Sequence, residues 1–232
     1  MTSRLTGRYL AGVAVVAALT LSGCGTGGPG VAAKVGDDTV TTADVNRLTV
    51  GYCRALEPQI VSQGQVVPMR LVRSFVVGSL TLEAAAKQLA AEHDITQPTG
   101  YLDRLKELQT QAAGLPAAHQ ADFIELGSAR AYVTALENQL GGELLLNEGT
   151  PDANDDQKVS RGSEELNVWL GDHTVDVNPR YGIDIAGGKI TDVANDTSYP
   201  LSKNAVDAGK VSSDAGPDQT YSAALPASQR CG

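Results

Sequence analysis

The groups in this 232-residue chain best suited to covalent chemistry are three thiols: Cys24, Cys53 and Cys231. A thiol can carry a lipid, pair oxidatively, ligate a metal or act as a nucleophile, and spacing decides among these roles. No C-x-x-C, H-x-x-x-H or H-E-x-x-H pattern occurs, so neither a zinc set nor a dithiol redox couple is offered. His93, His119 and His173 fall at or near predicted helix ends, where an imidazole meets the negative end of the helix dipole. Asp152, Asn154 and Asp156 have the 1-3-5 spacing of a calcium loop, but its sixth position is Gln157 and its twelfth is Ser163. Glycine and glutamate belong at those two positions, so the match fails and a solvated linker is expected. There is no G-x-S-x-G and no phosphate-binding loop, and the glycines at 25–30 lead into no helix. Arg180 and Tyr181 are read as shaping a strand exit, with Tyr181 packing and Arg180 pairing a helical acid. No catalytic residue, metal or cofactor is expected.

The odd cysteine count is explained from the amino end. Arg4 and Arg8 precede an apolar run over 10–21, too short to cross a hydrocarbon core of ~30 Å as a helix. Leu21-Ser22-Gly23-Cys24 then resembles the lipobox of bacterial lipoproteins. That resemblance implies a signal peptide over 1–23 and a diacylglyceryl group on Cys24, with acyl chains such as palmitate as the anchor. An ordinary signal peptide with an incidental cysteine is the alternative. Residues 24–31 would be a glycine-rich tether. Loss of Arg4 and Arg8, with no acid alongside them, shifts the formal charge from −9 to −11, so an anionic lipid surface adds no attraction. The same acidity, without a Lys/Arg cluster, argues against a nucleic-acid partner. Cys53 and Cys231 are left as an even pair outside the cytoplasm, which favours a disulfide over two free thiols.

These groups need a scaffold, and it begins at 32–56. A strand at 33–35, a small acidic turn and a second strand at 39–40 lead to Thr41 and Asp44, spaced as a capping box. Val45, Leu48, Tyr52 and Leu56 then form one helical stripe. A lone hairpin is marginal in water, so a third strand is expected, and 174–177 near the far end supplies it. Between them, helices are expected over 69–92, 101–113, 117–126 and 129–146, separated by Pro/Gly breaks. The second helix carries one stripe at Leu71, Phe75, Gly78, Leu82, Ala85 and Leu89, and another at Val72, Val76 and Leu80. So wide an apolar arc marks a central helix, with Glu83 and Lys87 paired on its polar side. Residues 149–162 read as a polar loop, 163–170 as a short helix, and Gly187-Gly188 as the turn of a hairpin ending near 193. Beyond 195 the chain reads as a flexible tail pinned by Cys231.

The opening KVGDDTVTTADVNRL at 34–48, several helices and the late VDVNPRYG at 175–182 together resemble the SurA amino-terminal domain. That family comprises extracytoplasmic chaperones and peptidyl-prolyl isomerases, including PrsA-type lipoproteins. With the lipobox and the ending ASQRCG, the chain is most similar to the SurA-like lipoproteins of actinobacteria. The resemblance implies a mainly α fold over 32–194, a helical bundle closed by a small antiparallel sheet of amino- and carboxyl-terminal strands. It also implies an apolar groove for unfolded polypeptide. In longer relatives a parvulin domain lies where this chain has only 149–162, far below the ~40 residues at which even stapled domains fold. No isomerase activity is therefore expected. The function expected is non-catalytic, chaperone-like binding of unfolded or secreted polypeptides by a lipid-anchored protein on the extracytoplasmic face of the cell membrane. Val72, Val76 and Leu80 are its candidate peptide-binding residues. The alternative is a structural or accessory lipoprotein bound to one fixed envelope partner.

Overall fold

A computed structural model describes residues 28–186, 189–193 and 218–232, together with residues 203 and 206. The signal peptide, Cys24, the Gly187-Gly188 turn and most of the tail lie outside the described residues. The described chain is mainly helical, with small antiparallel sheets.

Strand β1 (Val31–Val35) pairs antiparallel with β2 (Asp38–Thr41) across Gly36, whose φ of 55° lies in the left-handed region that glycine enters without strain. On its other side β1 takes β4 (Val175–Val177), with Ala33 opposite Val177 and Val35 opposite Val175. The sheet order is β2-β1-β4, so the hairpin gains the distant third strand it needs. Val31, read from sequence as tether, is already strand. Its N–H donates to the Gly28 carbonyl (3.1 Å), and Gly30 accepts from Thr42 N (2.8 Å).

Helix α1 (Thr42–Ser62) is capped by Thr41, whose Oγ1 accepts from Asp44 N at 3.1 Å. The other half of the expected capping box differs. Asp44 Oδ2 accepts from the Thr41 hydroxyl (2.6 Å) instead of reaching a backbone donor. After the short strand β3 (Val67–Pro68), α2 (Met69–Glu92) runs through the centre, and Lys87 pairs with Glu83 at 2.7 Å on its outer side. Helix α3 is Tyr101–Ala112.

Two stretches expected as breaks are helical. The helices expected at 117–126 and 129–146 are one helix, α4 (Gln120–Asn147), preceded by a 3₁₀ turn over Ala117–His119. Gly127 and Ser128 do not break it: Gly127 faces the Leu108 side chain of α3, and Ser128 Oγ returns a hydrogen bond to Glu125 O (2.8 Å). The expected linker over 149–162 is largely helix too, since α5 runs Asp155–Asp172. Asn154 Oδ1 accepts from Gln157 N (3.0 Å) and Gln157 Oε1 from Asn154 N (2.9 Å), while Asp155 and Asp156 favour the positive helix end. Two glycines let α4 and α5 meet at backbone distance. A methyl at Gly162 would collide with the Glu137 carbonyl, and one at Gly141 with the Lys158 carbonyl.

The core is largely aliphatic, with one cluster around Leu89, Leu136, Leu140 and Leu166, another around Val45, Leu48, Val76 and Leu126, and a smaller third at Cys53, Val72 and Cys231. At the edge of the first, Trp169 stacks on His173 (centroids 3.9 Å apart) and donates to Glu92 Oε1 at 2.8 Å. Tyr181 is buried as expected, but Arg180 lies over its ring (5.1 Å) and forms no ion pair with an acid among the described residues.

Strands β5 (Ile183–Ala186) and β6 (Lys189–Asp192) pair as a separate hairpin. It rests on α2 because Gly78 leaves room for Ile190; a methyl there would overlap that side chain. The carboxyl end is not loose. Residues 218–232 form α6 (Gln219–Ala223), capped by Asp218, and β7 (Arg230–Cys231), which pairs with β3. Cys231 is bonded to Cys53 of α1, with their Cα atoms 5.7 Å apart. The cysteines are 178 positions apart, and a loop of that size caps the entropic stabilisation at ~5 kcal/mol. Among the described residues, no helix is long and apolar enough to cross a membrane.

Candidate functional site

A groove follows one side of α2, roofed by the β5–β6 hairpin and walled by α1 and α4. Its first chamber, of about 430 Å³, is lined mainly by Tyr52, Val67, Leu71, Val72, Phe75, Ile183 and Ile190. A second chamber, of about 240 Å³, continues past Phe75 and Ile190 to Ser79, Leu82, Val133 and Glu137. A third, wider hollow of about 980 Å³ opens between α3, α4 and α5 and is polar, with Arg104, Asn138, Asp155, Glu164 and Asn167 on its walls. Arg130 borders all three, and Lys189 borders the second and third.

The first chamber owes its shape to aromatic stacking. The Tyr52 ring lies 6.0 Å from Phe123 in a near-parallel stack and 5.8 Å from Phe75, tilted by 33°. Arg130 covers the Phe75 face at 5.1 Å, a cation–π contact that holds the guanidinium at the chamber mouth. Burial pushes the Tyr52 hydroxyl above its ordinary pKa, partly offset by the nearby Arg130 charge. The wall formed by α1 and α4 is tied by Arg47, which donates to Asp122 (2.8 Å) and to Glu125 (2.7 and 3.0 Å). Those carboxylates raise the arginine pKa further still.

The second chamber is unusual for its polar floor. Glu137 is 9% exposed, and burial raises its carboxyl pKa to about 7, although a hydrogen bond with Ser163 pulls the other way. Ser79 is 2% exposed and its hydroxyl has no hydrogen-bond partner. Seryl hydroxyls in helices commonly return a bond to the carbonyl one turn back, as Thr81 does to Val77 (2.7 Å) on the same helix. An unused buried hydroxyl costs about 1–3 kcal/mol, which a ligand atom would recover.

Of the three candidate peptide-binding residues, only Val72 lines this groove. Val76 is fully buried among Val45, Leu48 and Leu126, and Leu80 packs on that same cluster. The groove-facing residues Leu71, Phe75 and Leu82 come instead from the first stripe of α2. Arg130, Ser79 and Glu137 were not singled out by sequence. One faint signal was available: a serine and an acid at otherwise apolar positions of helices that are apolar around most of their circumference. Among the described residues, no group of three or more His, Cys, Asp or Glu side chains is gathered as metal ligands, and Asn154 serves as a helix cap.

Comparison with models of known protein families, with curated proteins and with solved structures finds no match for this chain.

Proposed function

We propose that this chain is a lipid-anchored, extracytoplasmic protein of SurA-like architecture that holds segments of non-native polypeptide without catalysing a reaction on them. Its anchor would be Cys24 and its binding element the groove along α2. The observation that carries this reading is the first chamber, an open hollow in which Leu71, Val72, Phe75, Ile183 and Ile190 converge on one concave apolar surface. An exposed apolar concavity rimmed by polar groups is the ordinary mark of an interaction site. Its walls include two short strands, β3 and β6, beside which an extended segment could lie with alternate side chains entering the chambers. The pairing of the first and last strands of the helical body further supports the architecture.

The test is suppression of aggregation of an unfolded, unrelated client by the full chain reconstituted in lipid nanodiscs. Substoichiometric to equimolar protein should delay aggregation, and Leu71→Asp, verified as folded by circular dichroism, should weaken the effect several-fold. A chain that leaves aggregation untouched yet co-purifies with one envelope protein would replace this reading with that of a dedicated accessory lipoprotein.

A further inference from the structure

We propose that the second chamber of the groove is an anion subsite that takes the carboxylate of an acidic side chain in the bound polypeptide, while an adjacent apolar side chain fills the Phe75 chamber. This deepens the polypeptide-binding reading and rests on it. Three observations carry it. The first is charge. Arg130 and Lys189 both border the chamber, and neither forms an ion pair with any described carboxylate. Two cations without acid partners beside one hollow give it a positive rim in a chain with 27 acidic residues against 18 lysines and arginines. The second is Ser79, a hydroxyl donor 2% exposed and without a partner, on the chamber lining. The third is Glu137, whose burial favours the neutral acid, so that the floor need not repel a second carboxylate and can donate to it. A carboxylate here would accept from the Ser79 hydroxyl and face Arg130 and Lys189, turning one unsatisfied donor and two unpaired cations into charge-assisted contacts. Phe75 and Ile190 border both chambers, so one extended segment can reach both.

The experiment titrates the full chain in nanodiscs, at low salt and about pH 6, below the Glu137 pKa, by calorimetry with two capped six-residue peptides. Both are rich in leucine and valine; one carries a single aspartate and the other asparagine at that position. The aspartate peptide should bind about tenfold more tightly, a margin expected of charge-assisted bonds at a partly open site. That ratio should fall towards one in Lys189→Gln and in Ser79→Ala. The serine variant removes only a hydroxyl with no partner, so it is expected to fold. Equal affinity for the two peptides would overturn the subsite while leaving the groove reading intact. Failure of both peptides to bind would overturn the subsite and the groove reading together. A third arm titrates inorganic phosphate alone. Phosphate binding that depends on Lys189, with no discrimination between the peptides, would identify a free-anion site and overturn the proposal.

Discussion

Glu137 offers a sharp test of how the groove is built, because its environment ties the stability of the whole domain to pH. The perturbation is Glu137→Gln, which keeps the shape and removes the ionisation. In the folded chain burial raises the Glu137 pKa from 4.5 to about 7. The unfolded chain therefore releases this proton near 4.5, while the folded chain retains it until near neutrality. Between those values the folded state binds more protons, so stability falls as pH rises, by ~1.4 kcal/mol per pH unit at most. Over the full interval the ceiling is about 3 kcal/mol. The chamber opens to solvent beside Arg130 and Lys189, and screening there reduces the working figure to about 1–2 kcal/mol. The stabilising contribution is complete below about pH 4.5 and is gone above about pH 7. Urea denaturation of both proteins at pH 5, 6, 7 and 8, followed by far-ultraviolet circular dichroism, isolates it, since other titrating groups cancel in the difference. Wild type should lose about 1–2 kcal/mol relative to Glu137→Gln between pH 5 and 8. Parallel stability curves would refute the reasoning, because a carboxyl ionised in both states leaves no such slope.

Other expectations follow from particular contacts. Gly162→Ala should destabilise the chain by roughly 2–3 kcal/mol or more in thermal unfolding, since its methyl meets the fixed Glu137 carbonyl of the facing helix. Gly127→Ala should be near neutral, because the obstacle there is the Leu108 side chain, which can turn aside, and alanine gains about 1 kcal/mol of helix propensity. Reduction, or Cys231→Ser, should lower stability by about 2–4 kcal/mol and make 218–232 the first site of limited proteolysis; peptide mapping under non-reducing conditions that found both thiols free would remove the pin altogether. Thr41→Ala should cost about 1 kcal/mol through loss of the α1 cap. For the anchor, Cys24→Ser should abolish metabolic labelling with palmitate and leave full-length precursor, whereas normal labelling would exclude lipidation at that thiol.

The parts of the fold legible in the sequence were those where local pattern and tertiary need coincide. Thr41 and Asp44 marked the start of α1, the stripes of α2 marked a central helix, and the amino-terminal hairpin required a third strand, found as β4. Readings failed where tertiary contact overrode local composition. Gly127-Ser128 and the polar stretch before Gly162 look like breaks, yet both belong to helices. Gly162 allows the backbones of α4 and α5 to touch, and that contact supports a segment with few apolar side chains of its own. The Asn154…Gln157 capping pair was the overlooked local signal. The end of the chain was underestimated for a similar reason: β7 is only two residues long and exists by pairing with β3 beside the disulfide. The groove was harder still. Both apolar stripes of α2 were visible, but which of them faces solvent depends on where α1, the sheet and the β5–β6 hairpin settle. Ile190 seated over Gly78 roofs a groove lined by Leu71 and Phe75, while Val76 is buried among Val45, Leu48 and Leu126.

The central claim is that the α2 groove holds non-native polypeptide, and the most direct measurement is site-specific photo-cross-linking to an unfolded client. A photoreactive residue at position 71, inside the first chamber, is compared with one at Lys106, exposed on α3 and not among the residues lining the groove. Strong client cross-linking from 71, competed away by a leucine-rich peptide, with little from 106, is the expected outcome. Equal capture from the two positions, or none from 71, would contradict the account.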